Sequence, residues 1–302
     1  MMITTKKEGI NMGKYNSSVF RVRPLMTLIE NDSEKFQEFL KNTPIISHID
    51  SEGKPLCEKK LGEIIGRTLG KPERCYYDGD KEDCKEKRLK PPKKHLEKLI
   101  RYLAEKDFET RSETIDERCR LFYGDDKEGN RPPEEVRKEA CKQAIAQLEA
   151  SYDNMAENKR YWFMFEGYSA PDILIEGEDY IILCEGKWTE SGITDKTRHL
   201  SDADEHRCQM LRHIQGALNC YNKTIYAFYI VDAGCGYEKD LTVDAFSRQV
   251  GIETIKIESD EEIKKITDCF LGYTTWGKIK ELFPEISFKG IDQIDSEMEK
   301  RD

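Results

Sequence analysis

The runs Tyr168-Ser-Ala-Pro-Asp-Ile-Leu-Ile-Glu176 and Tyr180-Ile-Ile-Leu-Cys-Glu-Gly-Lys187 are separated only by Gly177, Glu178 and Asp179. Two β-rich apolar segments around so short a polar turn read as an antiparallel hairpin. If the turn centres between Glu178 and Asp179, paired residue numbers sum to 357: Gly177 with Tyr180, Ile175 with Ile182, Ile173 with Cys184, and Asp172 with Glu185. Two carboxylates then meet at the open mouth of the hairpin. Strand side chains alternate, so Glu185 and Lys187 project from one face, while Gly186 between them leaves its carbonyl accessible.

Two acids, a carbonyl and an ammonium suit one chemistry in particular. A hard cation such as Mg2+ takes oxygen ligands, commonly one or two carboxylates plus water and phosphate oxygens. Such a site can polarise a phosphodiester and assist attack by water. An adjacent ammonium can orient that water or offset developing charge. Asp172, Glu185 and the Gly186 carbonyl are the candidate metal contacts, and Lys187 is the candidate catalytic cation. Like charges directly opposed across a ladder repel, which by itself argues for a bound cation. The reading requires oxygens that converge and stay open to a polymer. Removing either acid is expected to cost little packing.

The motif Pro171-Asp172, twelve residues, Glu185-Gly186-Lys187 resembles that of the PD-(D/E)xK nuclease superfamily, which includes restriction, repair and phage-defence nucleases. The resemblance spans about residues 132–232. It implies a restriction-endonuclease-like α/β core, a central mixed sheet flanked by helices, with Asp172 and Glu185 binding Mg2+ (Mn2+ able to take its place) and Lys187 catalytic. Members also carry a Gln or Lys on the helix after the motif, and Gln209 resembles that residue. Some place a Glu on the helix before the first strand; Glu134, Glu135, Glu139 and Glu149 lie on such a helix here, and the sequence does not choose among them. Many members cut as dimers, so a homodimer is among the arrangements implied, although no interface signature is legible.

The flanking pattern fits this order. Residues 132–150 read as a helix opened by prolines, Tyr161–Phe165 as a preceding aromatic strand, Asp202–Tyr221 as a helix, and Thr224–Val231 as a buried strand. On the second helix Arg207, Leu211, Ile214 and Leu218 share a stripe; Asp202, His206, Gln209 and His213 lie opposite. His206 and His213 are about 10 Å apart along the axis, too far to share a zinc ion, and read as polar-face residues. Farther on, Glu253–Ile257 reads as a strand, and 260–272 and 275–283 as helices.

With 302 residues, 36% charged, 37% hydrophobic and a net charge of −10, the surface as a whole does not favour nucleic acid, so any binding cleft must be locally basic. Lys85–Lys106 supplies nine Lys and Arg against three Glu; it is either a phosphate-contacting surface or a solvated helix face, with Leu96, Leu99, Ile100 and Leu103 as packing stripe. The ten cysteines, the lack of a secretory leader and the lack of a membrane-length apolar run fit a reducing cytoplasm. Cys141, Cys184 and Cys220 read as core fillers. Cys57, Cys75, Cys84 and Cys119 invite a metal cluster, but no Cys-x-x-Cys occurs.

Residues 1–20 are expected to be flexible. A helical accessory region covers 21–125, with helices at 32–40, 55–69 and 93–106; a nuclease-like domain covers 126–291 and a charged tail 292–302, the boundary lying in the linker-like 124–133. The expected function is metal-dependent phosphodiester hydrolysis in nucleic acid, DNA favoured, with restriction or phage defence implied by resemblance alone. Two rivals stand beside it: an inactive nucleic-acid-binding or assembly protein that retains the fold, and a metal-stabilised module built on the upstream cysteines.

Overall fold

A computed structural model describes residues 17–79, 85–105, 134–153, 168–187, 208–234, 238–252 and 259–290. The hairpin forms in the expected register: β4 (Ile173–Glu176) pairs antiparallel with β5 (Tyr180–Gly186), Ile173 opposite Cys184 and Ile175 opposite Ile182. The Gly177 N–H donates to the Tyr180 carbonyl at 2.9 Å across Glu178 and Asp179. Glycine is required at the turn, because a Cβ on Gly177 would fall inside the Tyr180 ring.

Seven strands form one mixed sheet in the order β2 (Pro55–Lys60), β1 (Pro44–Ile49), β7 (Phe270–Thr275), β6 (Thr224–Val231), β5, β4 and β3 (Arg74–Tyr77). Strand β6 (Thr224–Val231) runs parallel to β5, and β7 (Phe270–Thr275) runs parallel to β6. These central strands are buried on both faces, which is why their sequences are continuous apolar runs. Helices cover the two faces separately. On one, Val22, Leu25, Met26 and Phe36 pack on Ile173, Ile182, Cys184 and Ile230; they come from a π-helical turn (Ser18–Val22), α1 (Arg23–Glu30) and α2 (Ser33–Asn42). On the other, Leu211 and Ile214 of α6 (Gln209–Cys220) and Phe246 of α7 (Val243–Ile252) pack on Leu174, Leu183 and Tyr229.

The N-terminal region is not purely helical: it adds β1 (Pro44–Ile49), β2 (Pro55–Lys60) and β3 (Arg74–Tyr77) to the same sheet. The helix expected at 55–69 is strand β2 followed by a short α3 (Leu61–Ile65), ended by Gly66 at φ +70°. A turn decides this. Asp50 accepts from the Glu52 and Lys54 N–H groups at 2.9 and 2.8 Å, and Gly53 sits at φ +84°, folding β2 back along the β-branched β1. Pairing then overrides local helix propensity. Asp32 caps α2 as expected, accepting from the Glu34 and Lys35 N–H groups.

Helices α4 (Lys93–Glu105) and α5 (Glu134–Ser151) match expectation. The helix expected at 260–272 stops earlier, as α8 (Asp260–Thr267), because Phe270–Thr275 inserts as β7 between β6 and β1; Thr275 then caps α9 (Trp276–Leu282). Gly272, at φ +114°, lets β7 approach β1 where a Cβ would strike the Ile46 carbonyl. The expected strands at 161–165 and 253–257, residues 202–207 of the expected helix, and the 124–133 boundary lie outside the described residues. The place beside β4 is taken by β3. No described helix is long and apolar enough to cross a membrane.

Cys184 and Cys141 are buried as expected, but Cys220 is exposed at the last residue of α6, its Sγ facing the Lys90 N–H at 3.4 Å. Cys57 on β2 and Cys75 on β3 stand at opposite edges of the sheet. Six strand spacings separate them, roughly 28 Å, so they cannot ligate one metal. Cys84 and Cys119 lie outside the described residues.

Candidate active site

The site lies at the carboxyl end of β5, beside the parallel strand β6, the edge at which open α/β sheets commonly place their ligands. Lys187 extends the ladder, its N–H donating to the Ile230 carbonyl at 2.8 Å. Alternation directs Glu185 and Lys187 toward α6. Gly186 faces the other way, where a Cβ would lie 2.9 Å from the Trp276 ring and 3.1 Å from Val22.

Glu185 is 1% exposed yet fully engaged. Its Oε1 accepts from Lys187 Nζ at 2.7 Å, and its Oε2 lies 3.1 Å from His213 Nε2. Lys187 Nζ also donates to Gln209 Oε1 at 3.2 Å, joining all three predicted side chains of that face. His213 Nδ1 meets the Ser169 hydroxyl. An ionised carboxylate only accepts, so His213 carries its proton on Nε2 and Nδ1 accepts from Ser169. Burial raises the Glu185 carboxyl, but Lys187 and His213 together outweigh it and hold the group down at about 2. Burial lowers His213 against the pull of Glu185, leaving the ring neutral at pH 7.

Asp172 behaves differently. Its N–H donates to Glu185 Oε2 at 3.4 Å, which keeps the two residues together at the hairpin mouth. Its carboxylate, however, turns to the opposite face, where Oδ2 accepts from the Gly186 N–H at 2.8 Å and Oδ1 from the Ser18 hydroxyl at 2.9 Å. The Ser17 hydroxyl donates to the Gly186 carbonyl at 3.0 Å. Burial, then the Glu185 charge, pushes the Asp172 carboxyl up to about 8 against Lys187, Ser18 and Gly186. The Glu185 carboxyl is thus held toward its charged form and the Asp172 carboxyl pushed toward its protonated form. A proton on Asp172 can relieve the repulsion between them, as a bound cation can.

The predicted residues Asp172, Glu185, Gly186, Lys187 and Gln209 are therefore neighbours, but the expectation that the acid oxygens converge and stay open is not met: the two carboxylates diverge toward different helices, and Glu185 is buried. His213 is not a solvated polar-face residue: it is 1% exposed and bound to Glu185. Its grouping with Gln209 was correct, and the i, i+4 spacing points both inward to the strand end. Ser169 was legible only as a neighbour within the quoted run. Ser17 and Ser18 gave no signal, being joined to the hairpin only by the fold. Glu86, on the segment leading to α4, is near enough to be influenced: burial, then Asp78 and Glu185, raise its carboxyl. Side chains of Glu134 and Glu135 lie outside the described set, while Glu139 and Glu149 are exposed.

As donors for Mg2+, two carboxylates and a carbonyl have the right hard-oxygen chemistry. Among the described residues no group of three or more His, Cys, Asp or Glu side chains is arranged to hold a metal ion, so the remaining coordination would fall to water and substrate oxygens. No family model matches the chain, and neither a curated protein nor a solved structure matches it.

Proposed function

We propose that this protein is a metal-dependent phosphodiesterase of nucleic acid, DNA favoured, with a restriction-endonuclease-like core. The observation that carries the reading is the joining of Glu185, Lys187 and Gln209 at the end of β5, with Lys187 bonded to both Glu185 and Gln209 and Asp172 adjoining through its backbone N–H. The antiparallel β3–β4–β5 arrangement, followed by α6 and the parallel β6, supports the same core.

Asp172, Glu185 and the Gly186 carbonyl are the groups that would hold Mg2+, Asp172 only after its carboxylate turns from Ser18 toward Glu185; the ion would supply Lewis acidity and positive charge at the phosphate. The chain's own groups do the positioning. Gln209 and Glu185 fix the Lys187 ammonium, which can hold a water or offset charge on the leaving oxygen. His213 keeps Glu185 charged and oriented from behind, in turn fixed by Ser169. The Asp172 proton must leave before that carboxylate can serve as a ligand.

Incubating purified protein with supercoiled, linear and single-stranded DNA, with Mg2+, Mn2+ or EDTA, tests the reading. Cleavage dependent on the cation and lost in Glu185→Gln supports it; no cleavage of any substrate with either cation sinks it. One observation favours a second reading, a nucleic-acid-binding protein that keeps the fold without catalysis. Glu185 is buried, and Ser17 and Ser18 occupy the Gly186 carbonyl and Asp172 Oδ1 from the π-helical turn. DNA binding without cleavage is its signature.

A further inference from the structure

The basic stretch divides in the structure. Leu96 and Ile100 of α4 are buried as its packing stripe, Lys90 lies over the Tyr152 ring at 4.0 Å, and Arg101 pairs with Glu97 at 2.7 Å. These cations are structural. Lys94 and Lys98 instead line a cavity of about 220 Å3 between α4, α6 and α8, which Lys265 enters from α8. Two helices distant in sequence thus bring three lysines to one cleft against one carboxylate, Glu262, with α6 closing the third side, in a chain of net charge −10.

We propose that this cleft binds a phosphate group. Its volume lies below the roughly 300–1,000 Å3 of ordinary small-molecule pockets, which suits a compact anion and little more. Lysines are point charges that adapt to a tetrahedral anion, whereas planar carboxylates are better matched by the Arg fork. Leu218 and Ile266 form an apolar wall, while Lys94, Lys265 and Glu262 are exposed and would meet an anion at the cleft's mouth. The cleft also borders the first turn of α4, the positive end of its dipole. Lys98 carries the cost of this crowding: burial first, then Lys94, lowers its ammonium against Glu262. A bound anion would relieve it.

The cleft is separate from the carboxylate site. Gln215, Leu218 and Asn219 of α6 line it, and they sit roughly 180–280° around the helix from Gln209. The inference therefore does not depend on catalysis at Glu185.

The test is calorimetric titration at fixed ionic strength with inorganic phosphate and with an unphosphorylated and a 5′-phosphorylated oligonucleotide. Phosphate should bind wild type, and Lys98→Gln with Lys265→Gln together should weaken it at least tenfold. Glu262→Gln should tighten it, and Lys85→Gln, outside the cleft, should change nothing. Binding of inorganic phosphate alone identifies a free phosphate; preference for the 5′-phosphorylated strand identifies a nucleic-acid end. Equal binding by wild type and the double variant, or an equal loss in Lys85→Gln, overturns the proposal. Glu185→Gln should leave phosphate binding intact, so failure of the nuclease reading and failure of this one are distinguishable.

Discussion

Replacing Asp172 with Asn isolates the proton that the structure assigns to this residue. In the unfolded chain the carboxyl ionises near 3.8, and in the fold it is raised to about 8. Between those values the folded state holds one proton more than the unfolded state, so this group's contribution is complete below pH 3.8 and is lost as pH rises toward 8. The slope is about 1.4 kcal/mol per pH unit. From pH 4 to pH 7 the loss approaches about 4 kcal/mol as an upper estimate, or roughly 6 °C in Tm for a chain of this size. Asn keeps the shape, can accept from the Gly186 N–H and can donate to Ser18, so its curve lacks this term.

The difference between the two proteins is the quantity to measure, because neighbours add their own slopes. Glu185, held down at about 2, contributes stability above pH 4.5 that is lost only as pH falls through 2. His213, lowered by burial, contributes stability present above its unfolded value and lost as pH falls below it, opposing Asp172 near pH 6. Thermal or urea unfolding in EDTA from pH 4.5 to 8 should show Asp172→Asn gaining on wild type steadily with pH. Parallel curves would mean that Asp172 is ionised in the fold, and the account of the site would be wrong.

Glu185→Ala should cost about 3–5 kcal/mol in urea unfolding, because it strands Lys187 and His213 at a buried position; the packing-neutral outcome expected from sequence does not follow once those partners are seen. Glu185→Gln should cost less while abolishing any cleavage. Lys187→Ala should slow turnover by about 100-fold or more in single-turnover assays with Mg2+ affinity largely kept; unchanged turnover removes Lys187 from the mechanism. Mg2+ affinity should rise by up to about tenfold per pH unit below pH 8, because binding must displace the Asp172 proton; calorimetry in buffers of different ionisation enthalpy would detect that proton. Gly177→Ala should destabilise the hairpin by at least about 1 kcal/mol, seen as a lower urea midpoint at unchanged slope.

The hairpin was legible because turn length and side-chain alternation together fix register, and a slip of one residue would have turned Ile173, Ile175 and Ile182 to the other face. The same logic delivered β6, whose apolar run has no alternative to burial. Strands β1 and β2 were missed because Pro55-Leu-Cys-Glu-Lys-Lys60 carries no apolar alternation: β2 is exposed along its whole length, Leu56 66% so. An edge strand is specified by its neighbour's hydrogen bonds, which sequence periodicity does not record. β7 is hidden in the sequence because Phe270–Gly272 follows a real helix without a proline between them and so reads as its last turn, while Thr275 reads as the start of the next helix. At the site, backbone-adjacent residues were readable; Ser17, Ser18 and Trp276, whose indole N–H donates to the Lys187 carbonyl at 3.0 Å, are placed only by tertiary packing.

That distinction changes which argument supports the proposed chemistry. From sequence, opposed carboxylates implied a repulsion that only a cation would relieve. In the fold Glu185 is compensated by Lys187 and His213 from the α6 side, while the Asp172 carboxyl is pushed toward its protonated form and bonded from the π-helical turn. The apposition of acids is thus compatible with a purely structural role, and repulsion no longer argues for a metal. What remains is the placement of Lys187 and Gln209. A buried Glu185 needs a counter-charge, but it does not need that ammonium to be held a second time by an amide oxygen at the carboxyl edge of the sheet. A lysine fixed by two partners has lost side-chain entropy, and such fixing serves a group whose position matters to something it meets.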